Sequence, residues 1–80
     1  MKEFIATFHT HLSALMTSRA LTGLGIQARM MPVPRKLSSS CGTCVRYLAE
    51  NAHLDAMDED VEAVYEKIGK EEYALLMNAD

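Results

Sequence analysis

Glu3-Phe4-Ile5-Ala6-Thr7-Phe8 is a short apolar run rich in strand formers, and the polar break His9-Thr10-His11 follows it directly. An apolar run of that length, bounded by polar residues, reads as a buried strand. Thr10 suits an N-cap, because its hydroxyl can accept from an orphan N–H of the next turn. Leu12, Leu15, Met16, Ala20 and Leu24 then recur at helical spacing and describe one expected core face. Gly25 stands where a helix needs a left-handed terminator. The expected helix is His11 to Leu24.

Downstream, Ile26 to Val33 reads as a second strand, with Ile26, Ala28 and Met30 on one face and Gln27 and Arg29 on the other. Pro32 and Pro34 end it, since neither can donate to a ladder. Arg35 to Gly42 is a loop, and Thr43 to Ala49 alternates again as a third strand, setting Val45, Tyr47 and Ala49 against Cys44, Arg46 and Leu48. After a connection from Asn51 to Met57, the acids Asp58, Glu59 and Asp60 suit a helix N-terminus. Val61, Val64, Tyr65 and Ile68 follow the i, i+3, i+4, i+7 rule, so a second helix ending at Gly69 is expected. Tyr73 to Met77 fits either a final edge strand or a frayed helix. The order strand, helix, strand, strand, helix is the ferredoxin-like split βαβ pattern of an α+β fold, with two helices on one face of the sheet. That topology brings the loop holding His9, Thr10 and His11 to the sheet edge that holds the loop with Cys41 and Cys44.

Eighty residues allow a single small domain, 1–80, and a lean core. A chain this short hides only roughly 60–65% of the surface its unfolded form exposes. With 49% hydrophobic and 24% charged residues, disorder is not expected despite the net charge of −3. No apolar run approaches the ~20 residues of a membrane span, and Met1 to Ile5 show no secretory pattern. A soluble cytoplasmic protein is expected. Residues 1–49 carry six basic side chains and one acid, whereas 50–80 carry two basic and ten acidic ones. The basic residues are scattered with few aromatics among them, so a solvated surface rather than a nucleic-acid partner is expected.

Cys41-Gly42-Thr43-Cys44 has dithiol spacing in a chain too poor in cysteine for a disulfide scaffold. Three chemistries compete. A dithiol redox site is one, although a strand rather than a helix follows the motif, which removes the usual support for a thiolate. A metal site is the second: Cys41 and Cys44 with two of the histidines His9, His11 and His53 would make a Cys₂His₂ set, but no regular ligand spacing supports it. The third is a reactive loop thiol at Cys41, shaped by Ser38, Ser39, Ser40 and Gly42, with Cys44 either a resolving thiol or a strand residue buried as a small hydrophobe. Inert cysteines on a small adaptor are the plain alternative. Gly42 admits positive φ beside the thiol. Met16 and Met30 read as core filler. No carboxylate pair or acid–base set points to an enzyme.

Pro32-Val33-Pro34-Arg35, the hydroxyl-rich Ser38-Ser39-Ser40, Cys41-Gly42 and a following strand, preceded by Phe8-His9-Thr10-His11 before the first helix, resemble the signature of the selenium/sulfur (Se/S) carrier protein-like family. The resemblance covers about residues 3–69 and includes the Gly25-Ile26 step. It implies that Cys41 holds sulfur or selenium as a persulfide-type adduct with no other cofactor. The implied partners are a protein donor, such as a cysteine desulfurase, and a protein acceptor; neither nucleic acid nor membrane is implied. Cys44 departs from the family pattern, where an apolar residue is usual.

Overall fold

The computed structural model describes residues 1–79. Its elements are strand β1 (Lys2–Phe8), helix α1 (His11–Gly23), strands β2 (Gln27–Pro32) and β3 (Thr43–Ala49), a single 3-10 turn at Leu54–Ala56, and strands β4 (Val61–Gly69) and β5 (Glu72–Asn78). The five strands form one sheet in the order β2-β3-β1-β4-β5, and every neighbouring pair is antiparallel. β1 and β2 therefore run parallel with β3 between them, joined through α1. The protein is α+β, with one helix among the described residues. The expected second helix is absent, and the segment 73–77 lies in an edge strand. No helix among the described residues is long and apolar enough to cross a membrane.

Helix α1 starts and stops as its residues dictate. Thr10 Oγ1 accepts from the Ser13 amide at 3.1 Å. At the far end Gly25 takes φ +82°, the Ile26 amide donates to Leu21 O and the Gly25 amide to Thr22 O. This is a Schellman closure, which needs a left-handed residue at that place. The buried face is not the expected one. Ser13, Ala14, Thr17 and Leu21 face the sheet, while Leu12, Met16 and Leu24 are 65%, 49% and 61% exposed. Small side chains let the helix approach closely, and its two buried hydroxyls are satisfied by one residue. Ser13 Oγ donates to Asp58 Oδ2 at 2.8 Å, and the Asp58 amide donates to Thr17 Oγ1 at 2.9 Å. Asp58, expected to open a helix, instead fastens the 50–60 connection onto α1.

Residues 61–69 form β4 for a reason the helical spacing conceals. β1 is central, so its second edge must find a ladder partner, and Val61, Val64, Tyr65 and Ile68 are strand formers. Thr7 pairs with Ala63 but Phe8 pairs with Val61, so Glu62 is one extra residue on the β4 side. This β-bulge resets the alternation. Val61 and Val64, three apart, thereby share the helix-side face, which mimics i, i+3. Gly69 sits at the turn into β5, where Glu71 takes φ 62°.

On the helix side, Phe4, Ala6, Phe8, Val45, Tyr47 and Val64 pack with Ala14 and Leu21, and the rings of Phe4 and Tyr47 stack at 5.2 Å. The 3-10 turn region adds Ala52, Ala56 and Met57, and the Tyr47 hydroxyl donates to Ala52 O. Met30 reaches this core as expected, whereas Met16 does not. Among the described residues no helix covers the opposite sheet face.

Asp58→Ala should leave the Ser13 hydroxyl, 2% exposed, without an acceptor. A loss of about 1–3 kcal/mol is expected, read as a lower urea midpoint, with Ser13→Ala costing less.

Candidate functional site

The register gathers the chemistry at one sheet edge. β1 ends at Phe8 beside the start of β4, and β2 ends at Pro32 beside the start of β3. The N-terminus of α1 and the 33–42 loop meet there. The loop is tied down by its serines: Ser39 Oγ donates to Phe8 O at 2.8 Å, and Ser40 Oγ to Glu62 Oε2 at 2.6 Å. The Ser40 amide also points at the Glu62 carboxylate, 3.2 Å from Oε1. His9 Nδ1 lies 3.2 Å from Glu62 Oε2 and 3.5 Å from Ser40 Oγ. The loops at residues 9–11 and 38–44 thus meet, joined through Glu62.

Glu62 was not legible as a site residue, because its segment reads as helix surface. The bulge is what carries its carboxylate to this edge. Burial raises its pKa, but the Ser40 hydroxyl, the Ser39 hydroxyl, the Ser40 amide and the His9 charge together outweigh burial and hold it below the ordinary 4.5. A carboxyl whose folded pKa is depressed stabilises above its unfolded value and loses that contribution as pH falls. The loop anchorage should therefore be complete above about pH 4.5 and weaken below it. Amide exchange at Ser40 checks this: protection should drop as pH falls below that value, and Glu62→Gln should remove the dependence.

The two cysteines are unlike and unbonded to each other. Cys41 is partly exposed in the loop, with Sγ 3.9 Å from Ser39 Oγ and donating to Thr43 O at 3.4 Å. Gly42 beside it takes φ +74°, which a Cβ would strain. Cys44 is fully buried in β3, between Thr7 and Met31 in register, with Sγ 3.7 Å from Pro32 O. Burial, with a smaller contribution from Cys41, pushes its thiol up to about 11.

Other expected site residues are less central. Thr10 caps α1, and His11 is exposed at the first helical position. Arg35 is exposed at the turn closed by the Leu37 amide on Pro34 O, and Ser38 is exposed nearby. His53 takes φ 49° at the opposite end of the sheet, beside a 500 Å³ cleft with Met1 and Leu24. Among the described residues no three His, Cys, Asp or Glu side chains converge on a metal position, so Cys41, Cys44, His9 and His11 do not assemble as the ligand set that was the alternative.

Iodoacetamide at mildly alkaline pH should label Cys41 first. Raising the Cys44 thiol from 9.0 to about 11 alone should slow its labelling by about 100-fold, since only the thiolate reacts. Peptide mapping of a labelling time course checks the order.

Comparison with known proteins fits this edge. A family model described as "Putative Se/S carrier protein-like" matches residues 3–74. The chain is also 38% identical over 45 residues to the uncharacterized protein YtiA of Escherichia coli (strain K12), a stretch that is 56% of this chain and 53% of that protein. The chain thus spans about half the length of that relative. No solved structure matches. The family match takes in every strand but the end of β5, and with it the His9 and Cys41 loops, so the chain belongs to the Se/S carrier protein-like family.

Proposed function

We propose that the protein carries sulfur or selenium on Cys41 and passes it from one protein to another. The observation that supports this best is the contrast between the two thiols: a partly exposed Cys41 on a serine-anchored loop, against a fully buried Cys44 whose pKa is raised. In loading, the Cys41 thiolate attacks the terminal sulfur of a donor persulfide. A bond forms between Cys41 Sγ and that sulfur while the donor S–S bond breaks, and the donor cysteine leaves as a thiolate. The sulfane sulfur moves with no net oxidation, so no external electron carrier is required. Ser39 beside Cys41, and Ser40 and His9 on Glu62, hold the loop that presents the adduct.

Cys44 has a structural part in this reading. Its buried thiol has little thiolate at neutral pH, which disfavours a resolving attack on the adduct. For the same reason a fast Cys41–Cys44 redox cycle is the weaker reading. The nearby groups amount to an anchor for a loop, and the protein acts as a carrier rather than as a catalyst. Its partners are the donor, such as a cysteine desulfurase, and the acceptor protein.

The test is loading by a cysteine desulfurase with cysteine, followed by intact mass spectrometry. Wild type should gain one or more sulfur masses, Cys41→Ser none, and Cys44→Ser as much as wild type. Loading that survives Cys41→Ser, or disappears in Cys44→Ser while the fold is retained, would overturn the assignment.

A further inference from the structure

The face of the sheet turned away from α1 is the second feature that the fold leaves open. Register assigns its residues, because directly opposed antiparallel residues share a face. One row across it reads Arg29, Arg46, Ile5, Tyr65, Leu75, and the next reads Gln27, Leu48, Glu3, Lys67, Tyr73. The β2–β3 side is basic at Arg29 and Arg46, the β4–β5 side is apolar and aromatic at Tyr65, Leu75 and Tyr73, and Lys67 stands beside Glu3 between them. Arg46 and Lys67 share Glu3, at 2.7 and 4.0 Å from its Oε2, and Glu3 is the only acid in these rows. Arg29 is exposed and directly opposes Arg46, with no ion pair among the described residues. Like charges directly opposed across a ladder are destabilising. Arg29 is not among the residues of the core cluster or those packed against it. Arg35 and Lys36, both exposed, extend the basic character onto the Cys41 loop. Five of the eight basic side chains thus lie on this face or its adjoining loop, in a chain of net charge −3.

The face is also continuous with the candidate site. Ser38 of the loop and Glu62 share a 170 Å³ polar cleft with Thr7, Ala63, Tyr65 and Asn78, at the upper end of the same face. We infer that this open sheet face is the docking surface for the carrier's partner, and that the partner presents acidic groups beside an apolar patch. The inference rests on the carrier reading for what is exchanged there, while the surface chemistry stands independently of it. A second copy of this chain fits poorly, since it would bring the same excess of basic over acidic side chains to the interface. The exposed area is on the order of 400 Å² from strand spacing and length, below the ~800 Å² per side of a standard complex. That size suits a brief transfer encounter, with electrostatic steering adding rate and specificity.

The experiment is an amide NMR titration of the full chain with a synthetic peptide alternating glutamate and leucine. Shifts should be confined to open-face positions such as Arg29, Arg46, Tyr65 and Leu75, and binding should weaken as salt rises. Arg29→Glu should weaken binding about fivefold, as expected for reversing one partly exposed charge. The same variant should melt at or above the wild-type temperature, because glutamate pairs with Arg46 where arginine repels it. A merely structural arginine would not show loss of binding together with retained or raised stability. Shifts elsewhere, no binding, or insensitivity to salt would overturn the inference. So would tighter binding of a single-stranded oligonucleotide, or concentration-dependent dimerisation through the same amides. Desulfurase loading of wild type and Arg29→Glu is the companion measurement. No loading of wild type removes the carrier reading and leaves the titration to decide docking. Loading equal in both, despite peptide binding to this face, would overturn its use as the donor's docking surface.

Discussion

The backbone of β1 has to be hydrogen-bonded along both edges, because Phe4 to Phe8 are buried from end to end. A buried backbone group without a partner costs as much as a lost hydrogen bond. β3 satisfies one edge and β4 the other. Once those pairings are made, the C-terminal end of β1 lies between the starts of β3 and β4. The His9 and Cys41 loops are then neighbours although 32 positions separate the two residues. The helix is secondary to this: it covers one face of β1, β2 and β3 with a short, small-residue face, while the other face stays open.

The bulge at Glu62 joins fold to site. An extra residue in β4 is a local defect in the ladder, and such defects often re-aim a side chain. Here it leaves a carboxylate at the edge, where the Ser40 amide and hydroxyl and the His9 ring converge on it. The loop gains order from charge-assisted hydrogen bonds rather than from apolar packing, so Cys41 stays reachable while its backbone is held.

The two thiols show how environment divides identical chemistry. Cys44 packs as a small hydrophobe beneath the loop, desolvated and directed at a carbonyl. Cys41, three residues away, keeps solvent contact. The open sheet face next to the loop collects basic side chains from three strands, Arg29 on β2, Arg46 on β3 and Lys67 on β4.

Much of the first half was decided by local chemistry and is readable from residues alone. Thr10 as a cap, Gly25 as a left-handed stop, the alternation of 26–33 and of 43–49, and the glycine beside Cys41 each act within a few positions. The family signature from Pro32 to Gly42 is local in the same way. The second half was not readable so directly. Val61 and Val64, at helical spacing, share a strand face only because a bulge at Glu62 resets the strand's period where β4 pairs with the end of β1. Likewise, Leu12, Met16 and Leu24 look like a core stripe, yet the sheet accepts the smaller Ser13–Ala14–Thr17 face, whose hydroxyls Asp58 satisfies from 41 and 45 residues away. Sequence by itself therefore determined the α+β class and the first unit, two strands joined through a helix with a third strand between them. Only tertiary structure decided the strand at 61–69, the buried face of the helix, the role of Glu62 and the exposure of each cysteine, because each depends on a partner distant along the chain.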